Sequence, residues 1–420
     1  MKVLWFSNSP AMSIEYLGKD NKIMGTGGWL YSLNKLMQNE LQLSVVFHYP
    51  YQIDCFKYQQ TTYFPIYTGN IILENLKKRI WGKVYDQDFL PKYLDVIEEI
   101  KPDIIHIHGT ENPYLCIIGK TSVPIIVSIQ GNLTVYYHKF LSGFYGRFLF
   151  RKSGNINFKS LILGREKFND DLINMRKMSA IEQKTFKNIM HILGRTDWDR
   201  RITRVFAYGS NYYSGNEILR DPFYESKWEN KIFKSKIVLF TTNSNNYYKG
   251  FETLCHALHL LNLAGIDACW RVAGIFKNSL INSITKSFLG KDYPKQGLIL
   301  LGSLDENELI KNMKETNIYV MPSHIENSPN NLCEAMILGL PCISTFSGGT
   351  GSMLKDGEEG ILIQDGDPWA MAGAIIELIN DPEKAIKYGN AARERALLRH
   401  DKDTIVKDLL ETYKTIIVKT

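Results

Sequence analysis

The sequence predicts an α/β protein of two doubly wound domains with parallel sheets, and three observations carry that expectation. Its 420 residues are long for one compact domain and suit two of about 200 each. Short apolar runs rich in β-branched residues alternate with longer helical patterns along the chain. Those runs are near-continuous rather than alternating, which means that both faces of each sheet are covered.

In order, the first-half strands are expected over 2–8, 43–49, 103–109, 124–131, 191–194 and 204–209. The second-half strands are expected over 236–243, 270–275, 298–304, 318–324, 341–346 and 360–364. Helical patterns follow most of them, as over 251–263, 306–315, 330–338 and 368–379. The domains are therefore set at 1–210 and 236–400, with a Tyr-, Asn-, Glu- and Lys-rich linker over 211–235. An amphipathic helix over 401–420 closes the chain and can pack back on the first domain. Ligands bind beyond the carboxyl ends of the strands in such sheets, so a cleft between two facing domains is the expected place for chemistry.

Composition narrows the classes. A hydrophobic content of 44% against 22% charged residues excludes a disordered or collagen-like chain. Fifty Lys and Arg against 44 Asp and Glu leave +6, too dilute over this length to indicate nucleic acid. Six scattered cysteines with no C-x-x-C read as buried reduced thiols in a reducing cytoplasm. The first residues are too short an apolar stretch for a signal peptide. No run reaches the ~18 apolar residues of a spanning helix. The expectation is a cytoplasmic or peripheral protein.

The most informative stretch runs from Ile318 to Gly339. A strand ends near Ser323, and Ser328-Pro329 offers an N-cap followed by a proline at the first helical position. The amides of Asn330, Asn331 and Leu332 then face outward at the positive end of the helix dipole, a seat for a diphosphate. Glu326 lies on the loop before this helix and Glu334 in its second turn, so both can flank one ligand. Lys249-Gly250 follows the strand 236–243 through a polar loop, where a lysine can neutralise diphosphate charge. Near the start, Gly25-Thr-Gly27-Gly28 opens a helix and allows close approach of a ligand to the backbone, without full dinucleotide-motif spacing.

Together these pieces resemble the family-4 retaining glycosyltransferases of the GT-B fold, two Rossmann-like domains facing a central cleft, of the bacterial surface-polysaccharide type. The resemblance rests on the E-x7-E pair Glu326 and Glu334, on Lys249-Gly250 and on Gly27-Gly28. The segment 101–109 and the pattern Gly348-Gly349, Asp356-Gly357, Gly360 support it. It implies transfer of a hexose-type sugar from a nucleotide sugar to a glycan or polyprenyl-linked acceptor, with retention and without metal or other cofactor. Lys249 and the Asn330–Leu332 amides would hold the diphosphate, Glu334 the ribose, Glu326 the sugar hydroxyls, and Gly27 and Gly28 would face the phosphates. His108, Gln130 and Arg195 would lie on the acceptor side. The sequence departs from the family where an arginine precedes the lysine (Asn243 and Ser244 here), where a histidine is usual (Gln130), and where an acid is usual (Ser352). Those departures keep a silent sugar-nucleotide-binding relative as a rival, beside an epimerase or phosphorylase on a similar scaffold.

Three D-x-D triplets, 86–88, 197–199 and 365–367, read as solvated turns, and His106 with His108 has no third metal ligand in reach. The basic, aromatic stretch 136–168 suits peripheral contact with an anionic membrane face. No recognised nucleic-acid module is present.

Overall fold

The structure, a computed structural model, describes residues 1–18, 28–69, 89–111, 113–144, 158–229 and 236–419. The chain forms two compact units. The first comprises Met1–Tyr137, Asp170–Arg220 and His400–Thr420; the second comprises His138–Asn169 and Asp221–Arg399.

Among the described residues, the first unit is built on eight strands: β1 (Lys2–Ser7), β2 (Gln42–Tyr49), β3 (Phe56–Tyr58), β4 (Thr61–Tyr67), β5 (Ile104–His108), β6 (Ile125–Ser128), β7 (His191–Gly194) and β8 (Asn211–Ser214). Their order is β3-β4-β2-β1-β5-β6-β7-β8, parallel throughout except for the β3–β4 hairpin. β1 pairs with both β2 and β5, so the strand order reverses there, as at the ligand-binding edge of doubly wound sheets. One sheet face buries Trp5, Val45, Phe47 and Tyr63 against the helices Gly28–Met37 and Lys402–Lys419. The other buries Phe6, Ile105 and Ile107 against Tyr93, Ile97 and Phe186. The closing helix is keyed into this core: Trp5 donates to the Tyr413 hydroxyl at 3.1 Å, and His106 Nδ1 lies 2.6 Å from the same oxygen.

Among the described residues, the second unit has six strands, all parallel: β9 (Ile237–Thr242), β10 (Ala268–Ala273), β11 (Leu298–Gly302), β12 (Ile318–Met321), β13 (Cys342–Thr345) and β14 (Ile361–Ile363), in the order β11-β10-β9-β12-β13-β14. Each falls inside an apolar run marked in the sequence or within two residues of one. Trp270 donates to Thr241 at 2.9 Å, and Thr241 to the Val320 carbonyl at 2.6 Å, which locks three adjacent strands together.

Three expectations are corrected. Residues 204–209 are not a strand: they end the helix Asp197–Phe206, which a reciprocal capping box between Thr196 and Asp199 starts. Val205 and Phe206 are good strand formers, but Val205 is 77% exposed on that helix. Residues 211–214 are the edge strand β8 rather than linker. The cysteines are not uniformly buried, since Cys55 is exposed and Cys116 half-buried.

Candidate active site

At the carboxyl edge of the second sheet, β9 leads through Asn243 into a tight turn, Tyr247–Lys249, and then into the helix Phe251–Leu263. Gly250 joins turn to helix with φ +69°, and a Cβ there would collide with the Pro322 carbonyl at the end of β12. Only glycine permits both that conformation and that approach. Two hydrogen bonds stitch the turn down: Asn243 Nδ2 donates to the Lys249 carbonyl at 3.1 Å, and the His324 amide to the Tyr248 carbonyl at 2.8 Å.

The loop after β12 brings Glu326 to that turn. Lys249 Nζ donates to Glu326 Oε1 at 2.6 Å, and Ser323 Oγ donates to the same oxygen at 2.7 Å. The Glu326 carbonyl accepts from the Gly349 amide at 2.9 Å, and Gly348, at φ +57°, packs so close to it that any side chain would clash. The Glu326 side chain is only 6% exposed, whereas Lys249 keeps 22%. Burial pulls the Lys249 ammonium down, but the Glu326 charge and then Tyr248 outweigh it and hold its pKa above the ordinary lysine value. The pair is thus charged, fixed and reachable at one end.

The helix Asn330–Leu338 opens beside this loop, one residue later than the sequence suggested. Pro329 is its N-cap residue, and Ser328 does not cap: its hydroxyl lies 3.6 Å from Met353 sulfur. The Leu332 amide is not free either. It donates to the Pro329 carbonyl at 3.1 Å and to Asn331 Oδ1 at 3.0 Å, a local side-chain bond of the kind that Asn favours. Asn331 Nδ2 in turn donates to the Thr242 carbonyl at 3.0 Å, tying the helix mouth to the end of β9. Asn330 and Asn331 stand in the first turn, where a helix offers their amides no internal partner. Asn330 Oδ1 is buried with no hydrogen-bond partner among the described residues. Glu334 is buried in the next turn, and the buried Tyr319 phenol feels its charge.

Residues that sequence reasoning missed lie alongside. His324 and Glu252 form a buried pair at 2.5 Å, and Asp365 lies on the other side of the ring. Glu252 follows Lys249-Gly250-Phe251 and His324 precedes Glu326 by two, so their proximity to the motif was the available signal.

In the first unit, Gly27 lies outside the described residues. Gly28 starts its helix, with the Arg220 side chain where a Cβ would point. His108 is fully buried at the end of β5, edge-on to Trp5 and Trp29 and 3.9 Å from the His106 ring, with neither ring nitrogen hydrogen-bonded among the described residues. Burial first, then His106 and Arg195, push its pKa well below the usual value, so it is neutral. Arg195 forms a buried ion pair with Glu217 at 2.6 Å and stacks over Trp29. Gln130 is half-buried beyond β6.

The D-x-D triplets resolve differently. Residues 86–88 lie outside the described residues; Asp199 belongs to the capping box, and Asp367 caps the helix Pro368–Asn380 through the Ala370 amide. Asp365 is no solvated turn residue but an ion-pair partner of His324 and Lys139. No group of three or more His, Cys, Asp or Glu able to hold a metal occurs among the described residues. Of the stretch 136–168, Phe140 and Phe144 turn inward onto Tyr247, Tyr248 and Phe288 rather than presenting an outward apolar face, and 145–157 lie outside the described residues. No helix among the described residues is long and apolar enough to cross a membrane.

Two parallel doubly wound sheets of this kind make the GT-B fold. Among solved structures, the chain is similar to sucrose-phosphate synthase from Thermosynechococcus elongatus (TM-score 0.73, 13% identity, 100% of this chain and 99% of that one). It is similar also to Anabaena Alr3699/HepE in complex with UDP-glucose (TM-score 0.67, 13% identity, 99% and 100%). Residues 223–395, which lie in the second unit, match the family model of the glycosyl transferases group 1. Among curated relatives, the capsular polysaccharide biosynthesis glycosyltransferase CapM of Staphylococcus aureus is 28% identical over 173 residues, 35% of this chain and 45% of CapM. The matches to such relatives span 23% to 57% of their lengths.

Proposed function

We propose that the protein is a retaining, metal-independent glycosyltransferase that moves a hexose from a nucleoside diphosphate sugar to a glycan or polyprenyl-linked acceptor in surface-polysaccharide synthesis. It would act in the cytoplasm, where such donors are made. The observation that carries this reading is the Lys249–Glu326 pair, fixed at the carboxyl ends of β9 and β12 beside the mouth of the helix Asn330–Leu338. The UDP-glucose bound by HepE and the capsular role in the name of CapM support the donor and product classes.

The chemistry follows from the donor inventory. A lysine ammonium has three N–H groups, and Glu326 engages one, so the others can meet a diphosphate without breaking the pair. The Asn330 and Asn331 amides add neutral donors at the positive end of a helix. Glu326 Oε1 receives both Lys249 and Ser323, which leaves Oε2 to accept from a sugar hydroxyl. Glu334 would accept from the ribose. In the reaction the bond from sugar C1 to the β-phosphate oxygen breaks as the acceptor oxygen bonds C1 on the same face. The acceptor proton passes to the departing phosphate. Fixed positive groups aimed at that phosphate then supply the main stabilisation.

A nucleotide-sugar-binding protein without turnover is the second reading, and one observation favours it. Asn243 and Ser244 stand where a cation is expected, and Arg271 is tied to Glu315 at 2.8 Å and Asn312 at 3.3 Å. A panel of nucleotide sugars with glycan acceptors, read by nucleoside diphosphate release and by the anomeric configuration of the product, tests both. Release with a retained anomeric centre is expected. Binding without release would favour the second reading, and an inverted product would contradict the proposed mechanism.

A further inference from the structure

We propose that His324 is a positioning residue for the Lys249–Glu326 pair, and that the segment 138–144 is a strap that seals it. His324 is fully buried between two carboxylates. Its Nε2 lies 2.5 Å from Glu252 Oε1, and its Nδ1 lies 3.6 Å from Asp365 Oδ2, an ion-pair distance. Glu252 sits in the first turn of the helix Phe251–Leu263, where the dipole favours its charge, and Thr253 Oγ1 donates to it at 2.9 Å. The His324 main chain reaches the site in two directions. Its amide holds the Tyr248 carbonyl, next to Lys249, and two residues further along the same loop is Glu326. Clamping one imidazole therefore fixes both members of the pair.

The strap completes the clamp. Lys139 lies 3.5 Å from Asp365, which extends the charged series from Glu252 through His324 and Asp365 to a cation on the strap. Phe140 packs on Tyr247 and Tyr248, and Phe144 on Tyr247 and Phe288, directly over the turn that ends at Lys249. Between them Gly143 lies so close to the Glu252–His324 contact that a Cβ would collide with both side chains. Backbone laid against a buried ion pair excludes water from it, and exclusion of water strengthens the pair. Burial alone would strip the proton from His324; Glu252 and Asp365 raise its pKa to about 9 instead, so the ring is a cation at neutral pH.

This inference rests on the transferase reading for its kinetic consequence but not for its structural one, so two readouts separate them. His324→Gln, Asp365→Asn and Gly143→Ala are compared with the wild-type chain by hydrogen exchange over 247–250 and 322–327, and by nucleoside diphosphate release. For His324→Gln, exchange in both segments should quicken about tenfold or more. Its kcat should fall about 10- to 100-fold, as for a small misplacement of reacting groups. The donor KM should move by less than about threefold, since no ligand contact is removed. Asp365→Asn should show a weaker version, and Gly143→Ala should loosen the same segments without altering any charge. If His324→Gln does not fold, the other two variants decide by the same readouts. Unchanged exchange and kcat would overturn the proposal. A wild-type chain that releases no diphosphate would refute the transferase reading, and exchange alone would then uphold or overturn the role of His324.

Discussion

The carboxyl edges of the two sheets handle histidine in opposite ways. In the first unit His106 and His108 are packed among Trp5, Trp29 and Tyr413 with no carboxylate hydrogen-bonded to either ring among the described residues, and burial drives the His106 pKa down to about 3. In the second unit His324 is equally buried, yet two acids hold it protonated. The first edge keeps its histidines neutral in an aromatic wall, with the Arg195–Glu217 ion pair over Trp29; the second sets a protonated histidine in a network of fixed charges. Neutral packing suits recognition by shape and hydrogen bonding, whereas fixed charge suits a ligand whose own charge changes during reaction. The contrast is a reason to assign the proposed reactive groups to the second unit.

Breaking the charged edge should have the largest effect. Lys249→Ala is expected to cut turnover by about 10²- to 10³-fold, as when a preorganised charge donor is removed, read by nucleoside diphosphate release. It should also destabilise the second unit by up to about 3 kcal/mol, because it strands a buried carboxylate. The double variant with Glu326→Ala should recover part of that stability, and a strictly additive cycle would show that the two groups do not interact. Gly250→Ala comes next. The φ of +69° and the clash with Pro322 both oppose it, and several kcal/mol of lost stability is expected in denaturant melts.

On the aromatic edge, Tyr413→Phe should cost about 1–3 kcal/mol, because Trp5 Nε1 loses its acceptor and His106 loses its Nδ1 partner while keeping Ser128 on Nε2. Turnover measured well below the melting temperature should stay near wild type. A Tyr413→Phe variant as inactive as Lys249→Ala would erase the distinction between the edges.

The smallest effect sharpens the comparison through pH. A histidine whose folded pKa is raised to about 9 stabilises fully below about pH 6.5, and that contribution is lost as pH rises from 6.5 towards 9. His106, depressed to about 3, behaves in reverse: its contribution is present above 6.5 and is lost as pH falls. Melts of the His324→Gln variant should therefore differ from wild type more at pH 6 than at pH 9.5. A difference that grows with pH would contradict the charged state of His324.

Legibility followed burial on both sheet faces. The six second-unit strands were readable because parallel, doubly covered strands leave continuous apolar runs. β3 and β4 were not read, since their residues mix Lys57, Thr61 and Thr62 with aromatics and carry Pro65. β8, Asn211-Tyr-Tyr-Ser214, is a polar edge strand and looked like linker. Thr196 and Asp199 stand at capping-box spacing and start the helix, whereas Val205 and Phe206 are strand formers and suggest a strand instead. At the site, Lys249 and Glu326 could be chosen from local context, but not their direct contact, which spans 77 positions. The Glu252–His324–Asp365 clamp was only hinted at, by the nearness of Glu252 and His324 to the motif, and Asp365 carried no such signal. Each member reads alone as an ordinary surface or core residue, and only the fold brings them together.

Calorimetric titration of UDP, and of ADP and GDP in parallel, into the wild-type chain and the Lys249→Ala and Glu326→Ala variants tests the central claim most directly. Wild type should bind at least one of these diphosphates, and Lys249→Ala should weaken that binding by about tenfold or more, the worth of one charge-assisted contact. Glu326→Ala should bind the bare diphosphate nearly as wild type does but lose the added affinity of the sugar-bearing donor. Equal affinity for wild type and Lys249→Ala would contradict the assignment of this edge as the diphosphate seat.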